Sequence, residues 1–377
     1  MSLLSSQSAH RQYASRPADE SFPSLDALVS AALTEKNLSA ERTYNLKDLR
    51  VEPIGETDSI ARGTDDLQLV SPKGAARFTH WSFGQLARSL GAPAGYLRDE
   101  LSPALAADCL NYGLSHSEPG TSANLLVRGS NGQPPIVRAA TSDSYGRCWD
   151  ADLYGALANT LNRHDQTWSL PPTWSGEPKG AYRGDRDSFL ILTNGGSIVS
   201  DPTLRDSGNG QMYRGILIRN SEVGASSVTI ETILYRYVCG NHMLWGAVID
   251  RAFRRRHAGN NVTRDTLREI GKIAYSWANA STDRDNALIA MLTANDIATT
   301  KEAVIDELRA MGATKEQAEN AYATCERTET VSPRTFWGMA QGLTRDSQAT
   351  MYQDERYQLD KLAGQVLARG ARVKVAA

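Results

Sequence analysis

Arginines gather in the middle of the chain, at positions where their planar cationic groups could hold phosphate. A guanidinium donates to two phosphate oxygens at once, which suits it to a nucleic-acid backbone. Three of these arginines, up to Arg236, lie on predicted strands. The others lie on a basic helix that we expect to start near Leu244 and to pass through residues 251–257. The candidate phosphate contacts are Arg214, Arg219, Arg236, Arg251, Arg254, Arg255 and Arg256.

Aromatic side chains are interleaved with these arginines, and Tyr235, Tyr237 and Trp245 are the candidates for stacking on bases. Rings beside a cationic groove suit single strands, because every base has a face on which a ring can stack. Strand alternation, however, places Tyr235 and Tyr237 on one side and Arg236 on the other, unless the strand is bulged. The alternative interpretation is a solvated basic helix with tyrosines in the core.

Two other groups of residues could hold a metal ion. Cys239 and His242 are three apart, which is half of a zinc site, but no second pair has matching spacing. A two-metal nuclease site could form from scattered aspartates, although their spacing does not require it. These are Asp143, Asp150, Asp185, Asp187 and Asp201. The sequence has no phosphate loop, nucleophile elbow or zinc-protease motif, so we predict no catalytic residue, metal or cofactor.

The segment Asn220-Ser221-Glu222-Val223-Gly224 joins two predicted strands. Gly224 permits a positive φ, and the Asn220 side chain can bond to its own backbone, so we expect a structured hairpin corner. Glu222 could pair with an arginine there or bind a metal.

Residues 83–101 have the spacing of a helix-turn-helix, with Ala87 at the helix crossing, Gly91 in the turn and Leu97 on the second helix. Many helix pairs share this spacing. The second helix carries Asp99 and Glu100, which suit phosphate contact poorly, so we favour a structural pair.

The order of predicted elements indicates an α+β fold. Helical patterns follow Ser24 and fill residues 81–116 and 149–163, and a hairpin is expected over residues 124–140. Strands are expected at residues 188–193, 213–219 and 228–238, followed by the basic helix, which gives a central antiparallel sheet with a β-β-β-α core. From about residue 262 the pattern is helical. We therefore divide the chain into a mobile tail (1–23), an α+β core (24–260) and a helical C-terminal region (261–377).

Composition narrows the class of protein. The chain has 377 residues, 41% of them hydrophobic, and a net charge of -2, so a nucleic-acid partner would need a local basic face. Its four cysteines are far apart and are expected to be buried free thiols. No apolar stretch reaches membrane-spanning length and residues 1–20 lack a secretory pattern, so we expect a cytoplasmic protein without a membrane partner.

Several short blocks of the chain occur in a recognisable order. They are Gln85-Leu86-Ala87, Leu90-Gly91-Ala92-Pro93 with Tyr96, Arg138-Ala139-Ala140, Ser142-Asp143-Ser144-Tyr145, Arg219-Asn220-Ser221-Glu222-Val223-Gly224, Tyr235-Arg236 and Val238-Cys239-Gly240-Asn241. These blocks fall within residues 45–275 and resemble a phage/plasmid-like protein family catalogued as domain of unknown function 932. The resemblance implies a role in mobile-element DNA metabolism and supplies no catalytic residues.

These patterns lead to one main hypothesis and two alternatives. The first is a mobile-element DNA-binding protein that binds or anneals single strands as a homo-oligomer, since the β-β-β-α order is similar to that of single-strand annealing recombinases. Acidic residues of the C-terminal region, mainly a solvated face, could oppose the arginines of a neighbouring copy. The second hypothesis is a protein-binding counter-defence or host-takeover factor without DNA affinity, and the third is a metal-dependent nuclease.

Overall fold

Two antiparallel-dominated sheets and a group of C-terminal helices make up the fold, which confirms the α+β class. The structure is a computed structural model, and it describes residues 16–55, 66–129, 132–161, 168–171, 178–200, 211–236, 241–244, 252–259 and 261–373. Among these residues, no helix is both long enough and apolar enough to cross a bilayer.

The strands in chain order are β1 (Glu20–Phe22), β2 (Ser39–Asn45), β3 (Arg50–Pro53), β4 (Leu67–Ser71), β5 (Gly74–Phe78), β6 (Ser122–Arg128), β7 (Ile136–Thr141), β8 (Trp168–Ser169), β9 (Ala181–Arg183), β10 (Ser188–Ser200), β11 (Gln211–Asn220), β12 (Val228–Arg236), β13 (Asn241–Leu244) and β14 (Ala252–Arg255). The helices are α1 (Leu25–Leu38), α2 (His80–Ser89), α3 (Ala94–Asp99), α4 (Pro103–Ser115), α5 (Asp150–Leu161), α6 (Val262–Ala278), α7 (Asp283–Ala294), α8 (Lys301–Ala310), α9 (Lys315–Thr328), α10 (Phe336–Asp346) and α11 (Gln353–Gly370). Single 3-10 turns lie at Leu46–Asp48 and Ser347–Ala349.

The larger sheet has the order β1-β9-β10-β11-β12-β13, and its described pairings are antiparallel. The three central strands are those that the sequence predicts. Strand β12 is shared along its length, because β13 pairs with its second half and β14 with its first half. Strand β14 is therefore hydrogen-bonded to β12, the strand that also pairs with β11.

The arginine run forms a strand and not the predicted basic helix. Residues 252–255 pair with β12 in the register Ile230↔Phe253, Thr229↔Arg254 and Val228↔Arg255. The side chains alternate between the two faces of the sheet, as strand geometry requires. The helical interpretation was wrong because four residues, of which only Ala252 and Phe253 are apolar, carry too little periodicity to separate strand from helix.

The smaller sheet has the order β2-β6-β7-β5-β4-β3, and the predicted hairpin is β6 with β7. Helices α2, α3 and α4 cover it. The helix pair of residues 83–101 has the turn that the sequence predicts, with Gly91 at φ +70°. Ala87 and Leu97 are buried in the core under this sheet, so the pair has the expected structural role.

One hydrophobic core joins the larger sheet to the helices after residue 261. Ile216 and Ile230 from the strands pack in the same cluster as Trp277 of α6 and Trp337 of α10, and all four are buried. The C-terminal region is confirmed as helical over the described residues 261–373, and it shares its core with the larger sheet.

Part of the expected tail is packed on this body. Strand β1 pairs with β9. Arg16 is buried, its Nε lies 2.8 Å from Asp185 and its Nη1 3.0 Å from Asp354, and Tyr352 donates to its carbonyl over 3.1 Å. Residues 16–22 of the segment 1–23 thus belong to the fold, and residues 1–15 lie outside the described ranges.

Candidate nucleic-acid interface

The structure places Arg214 inside the protein and not on a surface. Its side chain is fully buried and stacks on Trp277, 4.4 Å from the ring centre. Its Nε donates to Asp285 over 3.1 Å, and its Nη1 donates to the Trp277 carbonyl over 3.1 Å. Arg214 therefore anchors β11 to the start of α7, and we withdraw it as a phosphate contact.

Arg236 and Tyr235 are also interior residues, 1% and 2% exposed. Arg236 donates from Nη1 to Glu329 over 2.7 Å and to Gln341 over 3.2 Å. The expected alternation holds, but neither face of β12 is open to a strand of DNA at this point. Tyr237, Trp245 and Arg251 lie outside the described residues.

Acidic residues of the C-terminal region supply partners for these buried arginines and so do not form one solvated face. Glu329 pairs with Arg236, Asp354 pairs with Arg16, and Asp360 is buried and accepts from Ser347 over 2.8 Å. Glu326 remains exposed, and Glu355 is half-buried. The acidic residues offered for contact with a neighbouring copy are therefore largely used within the chain.

Arg254 and Arg255 lie on opposite faces of the larger sheet. Arg254 is exposed, and its Nε donates to Ser227 over 3.2 Å. Arg255 points to the side of α6, where its Nη2 lies 3.1 Å from Asp265. Arg256 follows β14 and is exposed. The run that the sequence treats as one basic face is therefore divided in two.

Helix α6 adds cations on the Arg255 side that the sequence analysis missed. Arg264, Arg268 and Lys272 recur every four residues and are exposed, the side chains of Arg264 and Lys272 at 75% and 63%. Four residues advance a helix by about 6 Å and slightly more than one turn, so the three side chains follow one another along one face. The spacing is visible in the sequence and could have identified this face.

We call Arg255, Arg264, Arg268 and Lys272 the basic strip. Asp265 links its two elements, since its carboxylate lies 3.1 Å from Arg255 and 3.7 Å from Arg264. Glu269 pairs with Lys272 over 2.6 Å. Four cations thus stand beside these two carboxylates, and Tyr275 follows at the next turn with 55% of its surface exposed. A cationic face with an exposed ring has the chemistry that single-strand binding uses.

Arg219 belongs to the other face of the sheet. Arg219 of β11 is the strand partner of Thr229 of β12, and Thr229 is the strand partner of Arg254 of β14. The three residues therefore form a row across three strands. Arg219 donates from Nη2 to Asp187 over 2.7 Å, and its guanidinium lies over the rings of Phe189 and Tyr357 at 5.2 and 4.8 Å. This row brings together two of the arginines that were predicted to contact phosphate, Arg219 and Arg254.

The corner at Asn220–Gly224 is a buried junction between the two sheets. Glu222 is 3% exposed, and its Oε2 accepts from Arg138 of β7 over 2.8 Å and from Arg183 of β9 over 3.0 Å. Its Oε1 accepts from the backbone amide of Asp150, the first residue of α5, over 2.9 Å. Burial opposes ionisation of Glu222, but the two arginines outweigh it and lower its pKa. Of the two roles that the sequence leaves open for Glu222, the structure shows the arginine pair.

The same corner is fixed from several further sides. Gly224 has the expected positive φ, +79°. The Val223 carbonyl accepts from Trp81 over 3.0 Å and from Gln85 over 2.7 Å. Asn220 does not bond to its own backbone as expected, because its side chain donates to Asp150 over 2.7 Å and to the Cys148 carbonyl over 2.9 Å. This arrangement is a rigid structural joint.

The aspartates proposed for a nuclease site are held apart in separate contacts. Asp150 is buried against Arg183, Asp187 against Arg219 and Asp185 against Arg16. Asp143 accepts from Ser122 at the surface over 3.4 Å, and Asp201 lies outside the described residues. Within the described ranges, no three His, Cys, Asp or Glu side chains converge as a metal site. Cys239, the thiol of the proposed half zinc site, is also outside these ranges.

The described cysteines are free thiols, and Cys148 and Cys325 are buried as expected. Cys109 on α4 is exposed, which corrects the expectation for that residue. Burial raises the pKa of the Cys148 and Cys325 thiols to about 12, so neither is poised as a nucleophile.

The fold and the basic strip together define an α+β protein with one large antiparallel sheet and a cationic face at its β14 edge. Comparison with known families identifies the larger part of this sheet and most of the C-terminal helices as a DUF932 domain, a domain of unknown function, over residues 172–355. The match includes the corner at Glu222 and begins after Arg138, with which Glu222 pairs. No curated protein and no solved structure matches the chain.

Proposed function

We propose that this chain is a DNA-binding protein of a mobile element and that it holds single strands along the basic strip. The observation that carries the proposal is the joining of β14 and α6 through Asp265, which places Arg255 and Arg264 within reach of one carboxylate. Cations on two adjacent elements can follow one phosphate backbone, and Tyr275 offers a ring to a base. We further propose that the protein acts in the cytoplasm as a homo-oligomer that anneals strands without changing covalent bonds.

Fluorescence anisotropy with a labelled single-stranded 40-mer at several salt concentrations tests this proposal, with duplex DNA as the comparison. We expect binding that favours the single strand and weakens with salt, by about 0.7 log units per log unit of salt for each neutralised phosphate. The variant R264Q/R268Q/K272Q should bind more weakly, and its salt slope should decrease by about 2 in magnitude.

A matched control replaces three exposed cations elsewhere on the C-terminal helices. Arg309, Lys315 and Arg327 lie on α8 and α9 and are exposed, so R309Q/K315Q/R327Q makes the same change in net charge away from the basic strip. We expect it to keep the affinity and salt slope of the parent chain. Absence of binding at low salt, or equal losses in the two variants, would overturn the proposal.

A second function, binding of a host protein as a counter-defence or takeover factor, is favoured by an apolar cleft in the smaller sheet. The cleft measures about 290 Å³ and is lined by Leu38, Tyr44, Leu125 and Val127 among others, with Leu38 44% exposed. An exposed apolar surface of this kind is typical of interaction sites. Under this alternative, the parent chain binds a host protein through the cleft. The variant L38D should lose that binding, and R264Q/R268Q/K272Q should retain it.

A further inference from the structure

A second pocket lies on the face of the larger sheet that is turned away from the basic strip. It measures about 440 Å³ and opens between strands β11, β12 and β14 on one side and helix α11 on the other. Pockets that bury a small ligand are typically of about 300–1,000 Å³. Its charged and polar lining includes Arg219, Thr229, Glu231, Arg254, Tyr357 and Lys361.

Glu231 supplies an acceptor without a donor. Its Oε1 accepts from the Tyr357 hydroxyl over 3.0 Å, whereas its Oε2 is buried and has no hydrogen-bond partner among the described residues. A buried acceptor without a donor is unfavourable, so a ligand that brings a donor to Oε2 supplies the missing hydrogen bond. Burial raises the pKa of Glu231, against the opposing effect of the Tyr357 hydrogen bond and of Lys361.

Two cations stand at the mouth of the same pocket. Arg254 and Lys361 are both exposed and approach it from β14 and α11. Arg219 lines it deeper but is held by Asp187 and by the rings of Phe189 and Tyr357. An anionic group of a ligand would therefore bind to Arg254 and Lys361, beside the hydroxyls of Ser226 and Ser227.

We propose that this pocket binds a nucleoside monophosphate whose base carries an amino group. The amino group donates to Glu231 Oε2, and the phosphate is held by Arg254 and Lys361. A carboxylate accepts from the amino group of cytosine in nucleic-acid recognition, and phosphate is the usual partner of paired cations. The inference goes beyond the proposed function, because the basic strip lies on the opposite face of the sheet and contributes no residue to the pocket.

Isothermal titration calorimetry of the full chain with CMP and UMP tests the assignment, because these nucleotides differ in the amino group. We expect CMP to bind at least tenfold more tightly than UMP and than cytidine, which lacks the phosphate. The variant E231Q should reduce the preference for CMP over UMP, and R254A/K361A should bring CMP down to the affinity of cytidine. Thermal unfolding of each variant establishes that it is folded.

The basic-strip variant R264Q/R268Q/K272Q is the control, and it should bind CMP as the parent chain does. If this variant loses DNA binding and still binds CMP, the nucleotide pocket is separate from the surface of the proposed function. A 5′-phosphorylated oligonucleotide that competes with CMP in the parent chain, and not in E231Q, would show that a strand end supplies the same chemistry. Failure of CMP to bind at millimolar concentration, or equal binding of CMP and UMP, would overturn the proposal.

Discussion

Arg138 of β7 and Glu222 of the β11–β12 corner form a buried ion pair, with Nη1 2.8 Å from Oε2, that joins the smaller sheet to the larger one. Glu35 lies 2.9 Å from Arg138 and 2.7 Å from Arg183, so both arginines keep a carboxylate when Glu222 is replaced. We therefore expect Glu222→Gln to lower the free energy of unfolding by about 1–3 kcal/mol, since two buried guanidinium groups lose a hydrogen-bonded carboxylate. Urea unfolding followed by circular dichroism measures the change.

Glu302 provides the control for this substitution, because it is an exposed glutamate in the first turn of α8. Glu302→Gln should change the free energy of unfolding by less than about 1 kcal/mol. A Glu222→Gln protein as stable as Glu302→Gln would show that the pair does not hold the sheets together.

Replacing Gly224 or Gly84 by alanine should change the free energy of unfolding in opposite directions. Gly224 has φ +79°, where a Cβ is strained, whereas Gly84 lies inside α2 with open space around the position of a Cβ. We expect Gly224→Ala to destabilise by about 1–2 kcal/mol and Gly84→Ala to stabilise by about 0.5–1 kcal/mol. Thermal or urea unfolding checks both signs, and a stabilised Gly224→Ala protein would contradict the geometry of the corner.

Arg214 is an interior residue, so its substitution should affect stability and not DNA. Arg214→Gln removes the buried ion pair that Arg214 makes with Asp285, which is 2% exposed, and should cost about 3–5 kcal/mol of unfolding free energy. Anisotropy of the folded variant should give the DNA affinity and salt slope of the parent chain. A stable Arg214→Gln protein with a reduced salt slope would instead return Arg214 to the phosphate contacts.

Stability should fall in mild acid because His257 is buried as the neutral ring. Burial lowers its pKa from 6.5 to about 4, and the ring stacks on Tyr145 with the centroids 5.1 Å apart. Between these pH values the unfolded chain binds the proton and the folded chain does not, so the free energy of unfolding decreases as pH falls. His80, with a pKa lowered to about 3 by burial and nearby arginines, acts in the same direction.

The variant His257→Phe keeps a ring beside Tyr145 and removes the titration. Urea unfolding at pH 7.5, 6 and 5 should show a pH dependence that is weaker by up to about 1.4 kcal/mol per pH unit, which is one proton's share. An unchanged slope would mean that folding does not lower the pKa of His257.

Thiol reactivity distinguishes the exposed cysteine from the buried ones. N-ethylmaleimide should modify Cys109 in the native protein, while Cys148 and Cys325 should react only in denaturant, because both are buried with a pKa near 12. Peptide mass mapping after a short exposure locates the modified residue. Rapid native labelling of Cys148 would contradict its place in the core.

The central strands and most helices could be predicted because their signals are local. Ser24 caps α1, and the strands of residues 188–193, 213–219 and 228–238 are bounded by turn residues. The fate of Arg214 and Arg236 could not be predicted, since their carboxylate partners lie 71 and 93 residues further along the chain. An arginine on a strand has the same local pattern whether it meets phosphate or a distant carboxylate.

The basic strip shows the converse case. Arg264, Arg268 and Lys272 repeat every four residues, and the buried face of α6 follows the same period through Thr266, Ile270 and Ala274. The information was present in the sequence. We placed the predicted phosphate contacts at residues 251–256 because arginines are concentrated there. On a strand, however, neighbouring side chains point to opposite faces.

The contact of Arg16 with Asp354 has a consequence for the order of folding. These residues are 338 positions apart, and closing a flexible loop of that length costs about 5 kcal/mol in chain entropy by the logarithmic rule. The contact therefore forms only after the sheet and the C-terminal helices have brought the two segments together. During synthesis, Arg16 meets Asp354 only when almost the entire chain has emerged, whereas its contact with Asp185 and the pairing of β1 with β9 need only the first half of the chain.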